Sequence, residues 1–560
     1  MLQKIKSELF SCIQEIYPKI EFSNNEIEVS CLYDEKGDFT SNLCLKYSKI
    51  VQANPSEIAN RLIDKINLEE ITRIEVAGPG FLNFFITNSA LMDLLNEKSK
   101  SFTDTSSVNI EFVSANPTGP LHLAHGRGAV VGDVLSNIYK FFGHKVTREY
   151  YVNNTGNQIK EFVSSILFKI SEKNKLNLTY PQYYKGEYIQ IIADNCYDQF
   201  NSLINFKDLK EDDEINIVNF AIKSLVKQSI ETLNETGIKF DQISYETDIV
   251  NKKLLPEIIT KLSEKNLIYK GQLDMPKDYQ GTQKDNEITI FKSTLFEDDE
   301  DRAITKNDGT PTYFANDIAY HADKHKRGFD KLINIWGADH LGYFKRLSAA
   351  LKALYPSIDF SVVFCQIVNL KRDNKIQKLS KREGNIFELK LLVEEIGIEN
   401  FRYFMCYRKN DTHMDLDIDW IKKENKENPI YYIQYSYARA QSVLDKKKNI
   451  IDTSIDMPLE LKNLYKKLYD WDSVALSAYK KQEVHLIAHY LESLASYFHS
   501  LWSSAKSNSQ IRFLDNDNNL SNHSYNVLKK YQDNMNEGLN ILGIKPKLKK
   551  KKKKNILYLL

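Results

Sequence analysis

The sequence predicts an α/β protein in three parts: an N-terminal α+β domain, a central doubly wound parallel sheet and a C-terminal α-helical bundle. Strand-like and helical patterns alternate over residues 108–395, which predicts the sheet. Within this region a strand-like run breaks at a turn rich in proline and glycine, and a helical pattern follows at once. Successive amphipathic helical patterns from residue 396 onward predict the bundle.

Length and composition are those of a multidomain globular protein. With 560 residues, of which 42% are hydrophobic and 27% charged, the chain is too long for one core. It has no run of about 18 apolar residues and no signal-peptide pattern, so we expect a cytoplasmic protein without a membrane span. The six cysteines are scattered without a C-x-x-C pair, which argues against a structural zinc site and favours a reducing compartment.

The domain boundaries follow from shifts in pattern. Residues 1–100 form the first predicted domain, and a polar linker follows it. The central domain, 108–395, has strand candidates at 108–114, 145–152, 331–337 and 359–366. Its polar segment from about 170 to 300 is mostly helical in periodicity with a small β excursion, and we expect an insertion there. Residues 396–545 form the bundle, and we expect the lysine-rich tail, 546–560, to be disordered and assign it no function.

The segment 111–133, EFVSANPTGPLHLAHGRGAVVGD, carries the strongest functional signal. Pro120 is well placed just before a helix, so His122 and His125 should fall on its opening turn. Free N–H groups and the positive end of the helix dipole suit such a turn to phosphate. Small residues that follow would let a flat ligand or another backbone approach closely: Gly126, Gly128 and Ala129. A nucleotide site is therefore predicted.

A second basic element lies at 378–385, KLSKREGN, just after a strand-like run. Two lysines around a serine, on a loop that ends in glycine, can neutralise the charge that develops on departing pyrophosphate. A lysine-rich loop by itself is usually solvated surface. Its position about 250 residues after the histidines favours a role in phosphate chemistry.

Two further clusters are candidates for substrate binding. Tyr313 and Asp317 are four residues apart and would share one face of a helix. A carboxylate beneath an aromatic ring is a good receptor for a guanidinium group, although an ordinary surface pair has the same spacing. Asp339 and His340 follow a predicted strand, at the edge where open α/β sheets bind ligands.

These motifs resemble those of the arginyl-tRNA synthetases. HLAH is similar to the HIGH signature of class I aminoacyl-tRNA synthetases, and its flanks resemble the arginyl version. KLSKREGN resembles the KMSKR-x-GN form of that family. Four more segments resemble it: GPGFLN at 78–83, GTPTYFANDIAYHADK at 309–324, NIWGADHLGYFKRL at 334–347 and NPIYYIQYSYARAQSV at 428–443. One departure is Ala124, since the family usually has glycine there, against the adenine.

The resemblance implies a Rossmann-like class I catalytic domain and the activity of an arginine–tRNA ligase. MgATP would activate L-arginine to arginyl-adenylate, and the arginine would pass to the 3′-terminal adenosine of tRNA(Arg). The resemblance also implies that tRNA binds before activation and that the N-terminal domain contacts tRNA. It implies catalytic roles for His122, His125, Lys378 and Lys381, and an ATP site formed by these four with Pro117, Gly119, Ala124, Gly126 and Ser380.

The resemblance implies further site residues. The arginine site would comprise Asn83, Glu111, Asn116, Tyr313, Asp317, Asp339 and His340, with Asn83 reaching in from the N-terminal domain. Bases of the tRNA would contact Tyr432, Gln434, Tyr437 and Arg439, some of which must pack in the bundle instead.

Two alternatives stay open. The first is a non-catalytic, tRNA-binding paralogue. Ala124 is the only feature that favours it. Such a paralogue should have lost the histidines or the lysine loop, and this chain keeps both. Another class I ligase, for cysteine or glutamine, is the second, and the absence of a zinc-ligand set argues against the cysteine enzyme. We expect a monomer.

Overall fold

Five parallel strands form the main sheet of the structure, a computed structural model that describes residues 1–96, 105–176, 178–272, 287–377, 387–451, 457–507 and 511–548. The strands are Ser107–Glu111 (β5), Lys145–Val152 (β6), Gln242–Tyr245 (β7), Lys331–Gly337 (β11) and Asp359–Cys365 (β12). Their order in the sheet is β12-β11-β5-β6-β7. The chain moves from β5 toward one edge and returns to build the other, so β5 and β11 flank the point where strand order reverses. Open α/β sheets bind ligands beside the carboxyl ends of such strands.

Helices cover this sheet, and the buried strand residues include apolar groups such as Ile110 and hydrogen-bonded polar groups such as Asn109 and Glu149. The helix after β5, Leu123–Phe141 (α5), is buried over most of its length. The central domain further contains Asn157–Asn174 (α6), Glu187–Phe200 (α7), Glu211–Glu235 (α8), Glu246–Asn251 (α9), Leu254–Glu264 (α10), Tyr313–Lys326 (α11) and Leu341–Leu354 (α12). Close packing of α5 on β5 depends on Gly132, since a Cβ there would overlap the ring of Phe112.

The N-terminal domain is an antiparallel sheet with helices packed on it. Its strands are Val29–Cys31 (β1), Phe39–Ser41 (β2), Ile71–Ala77 (β3) and Phe81–Ile86 (β4), in the order β1-β2-β4-β3. Its helices are Leu2–Ile16 (α1), Leu43–Val51 (α2), Pro55–Ile63 (α3) and Asn88–Asp93 (α4).

Two small sheets accompany the main sheet, one between β7 and β11 in the chain and one after β12. Ile268–Gly271 (β8), Ile288–Phe291 (β9) and Arg302–Ala303 (β10) form an antiparallel sheet before α11. Val368–Arg372 (β13), Lys375–Gln377 (β14) and Met414–Asp417 (β15) form the other, in the order β14-β13-β15. Ile418–Ile421 (α15) packs on the second sheet, and Leu389–Ile396 (α13) and Ile398–Met405 (α14), which lie between β14 and β15 in the chain, pack on α5.

The C-terminal part is a helical bundle. Its helices are Pro429–Lys446 (α16), Leu459–Tyr469 (α17), Trp471–Lys481 (α18), His485–Ser507 (α19) and Asn522–Ile541 (α20), with Ile450–Ile451 (β16) and Leu520–Ser521 (β17) as a short parallel pair. Two buried arginines fasten α5 to later parts of the chain, one to the C-terminal segment and one to the segment before the bundle. Arg402 donates to the carbonyl of Leu542 and pairs with Asp133, and Arg127 donates to carbonyls of 408–412.

The predicted fold class is confirmed, and the four predicted strands occur within two or three residues of their expected ends. One expectation needs correction. The range 170–300, predicted to be an insertion, contains β7, which is an edge strand of the main sheet. Its sequence, QISY, is too short and polar to signal a buried strand. In the part of the chain described, no helix is long and apolar enough to cross a membrane. Most of the tail expected to be disordered, from 549 onward, lies outside the described residues.

Candidate active site at the carboxyl edge of the sheet

The two histidines lie where the sequence predicts them, at the start of α5. His122 is the N-cap residue, and its backbone N–H donates to Nδ1 of His125 over 3.2 Å. The two ring centroids are 3.9 Å apart. Because Nδ1 of His125 accepts a hydrogen bond, the neutral ring carries its proton on Nε2. That nitrogen is then a donor suited to a phosphate oxygen at the positive end of the helix.

Small residues lie on two different faces of α5. Ala124 is exposed, and a Cβ at Gly128 would have only Ile335 near it, at 3.9 Å. Gly126 is turned the other way, since a Cβ there would lie 3.0 Å from Leu389 and 3.1 Å from Phe401. The prediction that Gly126 lines the ATP site is therefore corrected: it permits α13 and α14 to pack on α5. Ala124 and Gly128, one helical turn apart, form the open face.

The turn before α5 is contacted by α7, a helix that no sequence motif had connected with it. Tyr188 of α7 donates to the carbonyl of Thr118 over 2.9 Å, and a Cβ on Gly119 would lie 3.4 Å from its hydroxyl. Pro117 is buried. Asn116 is exposed, and its amide donates to Gln158 over 2.9 Å.

The backbone joins the two predicted ATP motifs. The structure describes β14 up to Gln377 and resumes at Phe387; Lys378, Ser380 and Lys381 lie outside the described residues. Directly after this loop, the carbonyl of Phe387 accepts from Leu123 N–H over 3.3 Å. Leu389 N–H donates to the carbonyl of Leu121 over 2.9 Å. The end of the lysine segment is thus hydrogen-bonded to the chain that carries the histidines.

Asp317, one of the residues predicted to bind arginine, has a strongly shifted pKa. It lies on α11 and accepts a hydrogen bond from the hydroxyl of Tyr343. Burial raises the pKa of Asp317 to about 7, and the negative charges of Glu111 and Glu246 act in the same direction. Three carboxylates in electrostatic range of one another suit a cationic ligand.

The two other carboxylates are held in place by hydrogen bonds. Glu111, at the end of β5, pairs with the buried Nζ of Lys324 over 2.6 Å and accepts from Ser114 over 2.8 Å. Glu246, which is 3% exposed, accepts from Asn316 over 3.0 Å and from Thr155 over 2.8 Å. Fixed carboxylates of this kind present a rigid charge to a ligand.

Sequence reasoning missed Glu246, Lys324 and Tyr343. Lys324 had a local signal, because it lies seven residues after Asp317 and therefore on the same face of α11. Glu246 had none, and Tyr343 lies in the segment 334–347 noted for its resemblance, but its bond to Asp317 depends on how α12 packs on α11.

The remaining predicted arginine-site residues differ in placement. Tyr313 is 62% exposed at the start of α11, one turn above Asp317. Asp339 and His340 are exposed on the turn after β11. Asn83 lies inside the N-terminal domain, where its carbonyl accepts from Thr40 over 2.7 Å and its amide donates to a backbone carbonyl over 3.2 Å. The structure thus brings Glu111 within electrostatic range of Asp317, whereas both ends of the Asn83 amide bond within its own domain.

Helix α16 divides the predicted tRNA-binding residues between two faces. Gln434 is buried and its amide bonds the backbone of Lys545 and Lys547, and Tyr437 is 4% exposed. Their predicted contact with bases is therefore corrected to packing, because this face of the helix meets α20 and the C-terminal segment. Tyr432 and Arg439 lie on the open face.

The open face of α16 forms a ring-rich surface with α19. The guanidinium of Arg439 lies 4.1 Å from the ring centroid of Tyr435 and 5.0 Å from that of Trp502. The rings of Tyr432 and His499 are 4.3 Å apart. Burial lowers the pKa of His499 to about 4, so the ring is neutral near pH 7. We call these five residues the α16–α19 aromatic surface.

Comparisons with known proteins agree with this architecture. Residues 3–86 match the arginyl tRNA synthetase N terminal domain, residues 88–417 the class I (R) tRNA synthetase catalytic domain, and residues 433–549 the DALR anticodon binding domain.

Two curated relatives and one solved structure are similar over most of the chain. The arginine–tRNA ligase of Rickettsia bellii is 35% identical over 98% of this chain and 99% of its own. The arginine–tRNA ligase of Pelagibacter ubique is 36% identical over 90% of this chain and 91% of its own. The structure of Thermus thermophilus arginyl-tRNA synthetase shares the fold with a TM-score of 0.74, at 18% identity, over 98% of this chain and 100% of its own. The chain belongs to the arginyl-tRNA synthetase family of class I aminoacyl-tRNA synthetases.

Proposed function

We propose that the site at the carboxyl edge of the main sheet carries out the reaction of this family, the ATP-dependent ligation of arginine to tRNA. In the first step the arginine carboxylate attacks the α-phosphate of ATP and displaces pyrophosphate. In the second, the 2′-hydroxyl of the terminal adenosine attacks the arginyl-adenylate carbonyl and releases AMP. The signature turn and the lysine loop serve the first step, and the acidic pocket selects the amino acid.

ATP binds along the first turn of α5 in this proposal. His122 and His125 hydrogen-bond the phosphates, and the adenine lies over the open strip of Ala124 and Gly128. Lys378 and Lys381, with Ser380, hold the departing pyrophosphate from the loop that ends beside Leu121 and Leu123. Magnesium enters with the substrate as MgATP. The backbone pairing between the two motifs supports this arrangement, because it keeps the end of the lysine loop at the histidines.

Arginine binds in the acidic pocket. Its guanidinium pairs with Asp317 below the ring of Tyr313 and with Glu111, and Asn116 binds its α-amino group. The observation that carries this assignment is the raised pKa of Asp317, caused by burial and by the charges of Glu111 and Glu246, because a cationic side chain beside Asp317 would favour its ionised form. A site built to hydrogen-bond a guanidinium rejects amino acids that lack it, so no editing step is needed.

The tRNA contacts the α16–α19 aromatic surface. Unpaired bases are commonly recognised by stacking on aromatic rings and on arginine, and Tyr432 and Arg439 lie among such groups. We further propose that the protein acts as a monomer in the cytoplasm and that Asn83 approaches the substrate only when the N-terminal domain contacts tRNA.

Pyrophosphate exchange tests the proposal with each amino acid, with and without tRNA(Arg). Among the amino acids, only arginine should support exchange, and it should do so only when tRNA(Arg) is present. Asp317→Asn should lose this exchange, whereas Asp359→Asn, an exposed aspartate at the opposite end of the sheet, should retain it. Equal exchange with lysine would overturn the arginine assignment. Binding of tRNA without exchange by folded protein would instead support a non-catalytic paralogue.

A further inference from the structure

A second pocket, of about 250 Å³, lies outside the site described above, between the end of α14, β15 and α15. Its lining is partly aromatic and partly polar: Phe404, Tyr407, Arg408, Thr412, His413, Met414, Asp415, Leu416, Asp417, Trp420 and Ile421. Pockets for drug-sized ligands are usually about 300–1,000 Å³. This one is suited to a single flat ring system and its polar edge.

The lining has the chemistry that recognises an unpaired nucleobase. The ring of Trp420 lies 4.9 Å from that of Phe404 and 5.9 Å from that of Tyr407. The guanidinium of Arg408 is 5.6 Å from the Tyr407 ring and is exposed at the rim. Aromatic rings and guanidinium planes stack on bases, and exposed His413 can hydrogen-bond a base edge.

One wall of this pocket is hydrogen-bonded to α5, the helix that begins at the two histidines and that we call the signature helix. Arg127 of α5 is 1% exposed and donates to backbone carbonyls of the segment that supplies Arg408 and Thr412. The bonds to Lys409 and Thr412 are 2.8 and 2.7 Å long. Arg127 lies five residues after His122, on the same helix. The backbone of the 408–412 segment is therefore hydrogen-bonded to the helix that carries the histidines.

The opposite wall belongs to the sheet that leads to the lysine loop. Strand β15 pairs with β13, and β13 pairs with β14, which ends at Gln377 immediately before that loop. Lys371 of β13 and Asp417 of β15 form an ion pair of 3.0 Å across this sheet. The pocket thus lies between the structural supports of the two ATP-binding motifs.

We propose that this pocket binds one unpaired base of the tRNA and that its occupation aligns the two ATP-binding motifs for arginine activation. In this proposal Arg127 is the positioning residue for α5 and its histidines. The β13–β15 pairing positions β14, the strand that precedes the lysine loop. The inference rests on the proposed function, because it takes tRNA as the partner. It assigns to tRNA a contact that is separate from the α16–α19 aromatic surface.

Binding of tRNA(Arg) tests the pocket directly. Arg408→Ala and Tyr407→Leu should each weaken the Kd about fivefold to tenfold in filter binding. Chemical probing of the bound tRNA should show one unpaired base protected by the natural protein and exposed in both variants. Lys227→Ala removes an equal charge from α8, where the side chain is 77% exposed, and should change neither result. Unchanged Kd and unchanged protection in Arg408→Ala would overturn the proposal, and folding is not at issue there because Arg408 is exposed.

Arg127→Lys tests the coupling. A lysine cannot hold all the carbonyls that the guanidinium holds, so the maximal rate of tRNA-dependent exchange should fall about tenfold while the Kd for tRNA stays the same. Tyr407→Leu should do the reverse, raising the tRNA concentration needed for half-maximal exchange. Equal loss of binding and rate in Arg127→Lys would contradict the coupling. If the natural protein binds tRNA with the pocket-dependent protection but exchanges no pyrophosphate, the proposed function fails and the base-binding pocket stands.

Discussion

The hydroxyl of Tyr343 on α12 donates a hydrogen bond to the carboxyl group of Asp317 on α11. This bond favours the ionised carboxylate, whereas burial and the charges of Glu111 and Glu246 oppose ionisation. The opposing effects leave the pKa of Asp317 at about 7. The free pocket therefore contains a carboxyl group that is half protonated near neutral pH and that a guanidinium would ionise fully.

Arginine binding should depend on pH through Asp317. The ionised form binds the guanidinium, and its fraction falls as the pH drops below about 7, so the Kd should rise toward tenfold per pH unit below pH 6. Between pH 8 and 9 the Kd should not respond to this group. Isothermal titration calorimetry from pH 5.5 to 9 measures this and should record proton release on binding at pH 6. Asp317→Asn should bind weakly, losing several kcal/mol, with a flat profile. A flat profile in the natural protein contradicts the role of Asp317.

Tyr343→Phe should shift that profile. Removing a hydrogen bond to a charged group costs about 1.5–3 kcal/mol, which corresponds to about one to two pH units. The midpoint of the arginine-binding profile should therefore move upward by that amount, with the KM for arginine at pH 7 rising about tenfold or more. Tyr355→Phe, at the other end of the same helix, is the control and should behave like the natural protein. An unmoved midpoint would show that Tyr343 does not act on Asp317.

Local patterns explain which features could be predicted from the sequence. The histidine turn depends on Pro120 and on an adjacent helical run, so both its position and its helix were predictable. Lys378 and Lys381 were recognisable by composition and order. Glu246 and Tyr343 could not be found, because their roles arise from contacts between elements far apart in the chain.

The α16 helix shows the limit of periodicity. Helical spacing places Gln434 and Tyr437, which are three residues apart, on one face of the helix. It places Tyr432 and Arg439, which are seven residues apart, on another face. Which face is buried depends on where α20 and the C-terminal segment pack, and Gln434 contacts residues more than a hundred positions away. The resemblance of this segment to the family therefore named residues on both faces without showing which face is buried.

Lys381→Ala should slow adenylate formation far more than it weakens arginine binding. The lysine is expected to stabilise charge that grows in the transition state, so kcat should fall by about 10²-fold or more at nearly constant KM. Lys375→Ala, exposed on β14 just before the loop, is the matched control for loss of a positive charge. Steady-state pyrophosphate exchange separates kcat from KM. An unchanged kcat in Lys381→Ala would mean that the loop is ordinary solvated surface.

Ala124→Gly should leave activity intact and lower the KM for ATP. Ala124 is exposed on the first turn of α5, so removing its methyl relieves crowding against adenine of no more than about 1–3 kcal/mol and disturbs no core contact. Gly126→Ala provides the contrast, because its methyl would press on Leu389 and Phe401 and should destabilise the fold. Exchange at varied ATP, with thermal melting of both variants, distinguishes the two sites. A raised KM in Ala124→Gly would place the adenine elsewhere.

Gly543→Ala should be the most destabilising glycine substitution near the C-terminus. Gly543 has φ of +66°, and a Cβ there would overlap the guanidinium of Arg402. That guanidinium donates to the carbonyls of Leu542 and Thr236, over 2.7 and 3.1 Å, and pairs with Asp133 of α5. Backbone strain of about 1–2 kcal/mol then adds to about 1–3 kcal/mol of overpacking at a buried ion pair.

Gly397→Ala separates those two contributions. Gly397 has φ of +81° and ψ of 152°, a conformation that glycine alone adopts readily, and no atom lies within 4 Å of where a Cβ would be, so alanine there should cost only the backbone strain, about 1–3 kcal/mol. Urea unfolding of both variants gives the comparison, and the Gly543→Ala midpoint should fall well below that of Gly397→Ala. Because Arg402 also holds Asp133 on the signature helix, the Gly543 variant should lose exchange activity at temperatures where the Gly397 variant keeps it. Equal midpoints would mean that Arg402 moves aside without cost and that its bonds to Leu542 and Asp133 add little to the stability of this junction.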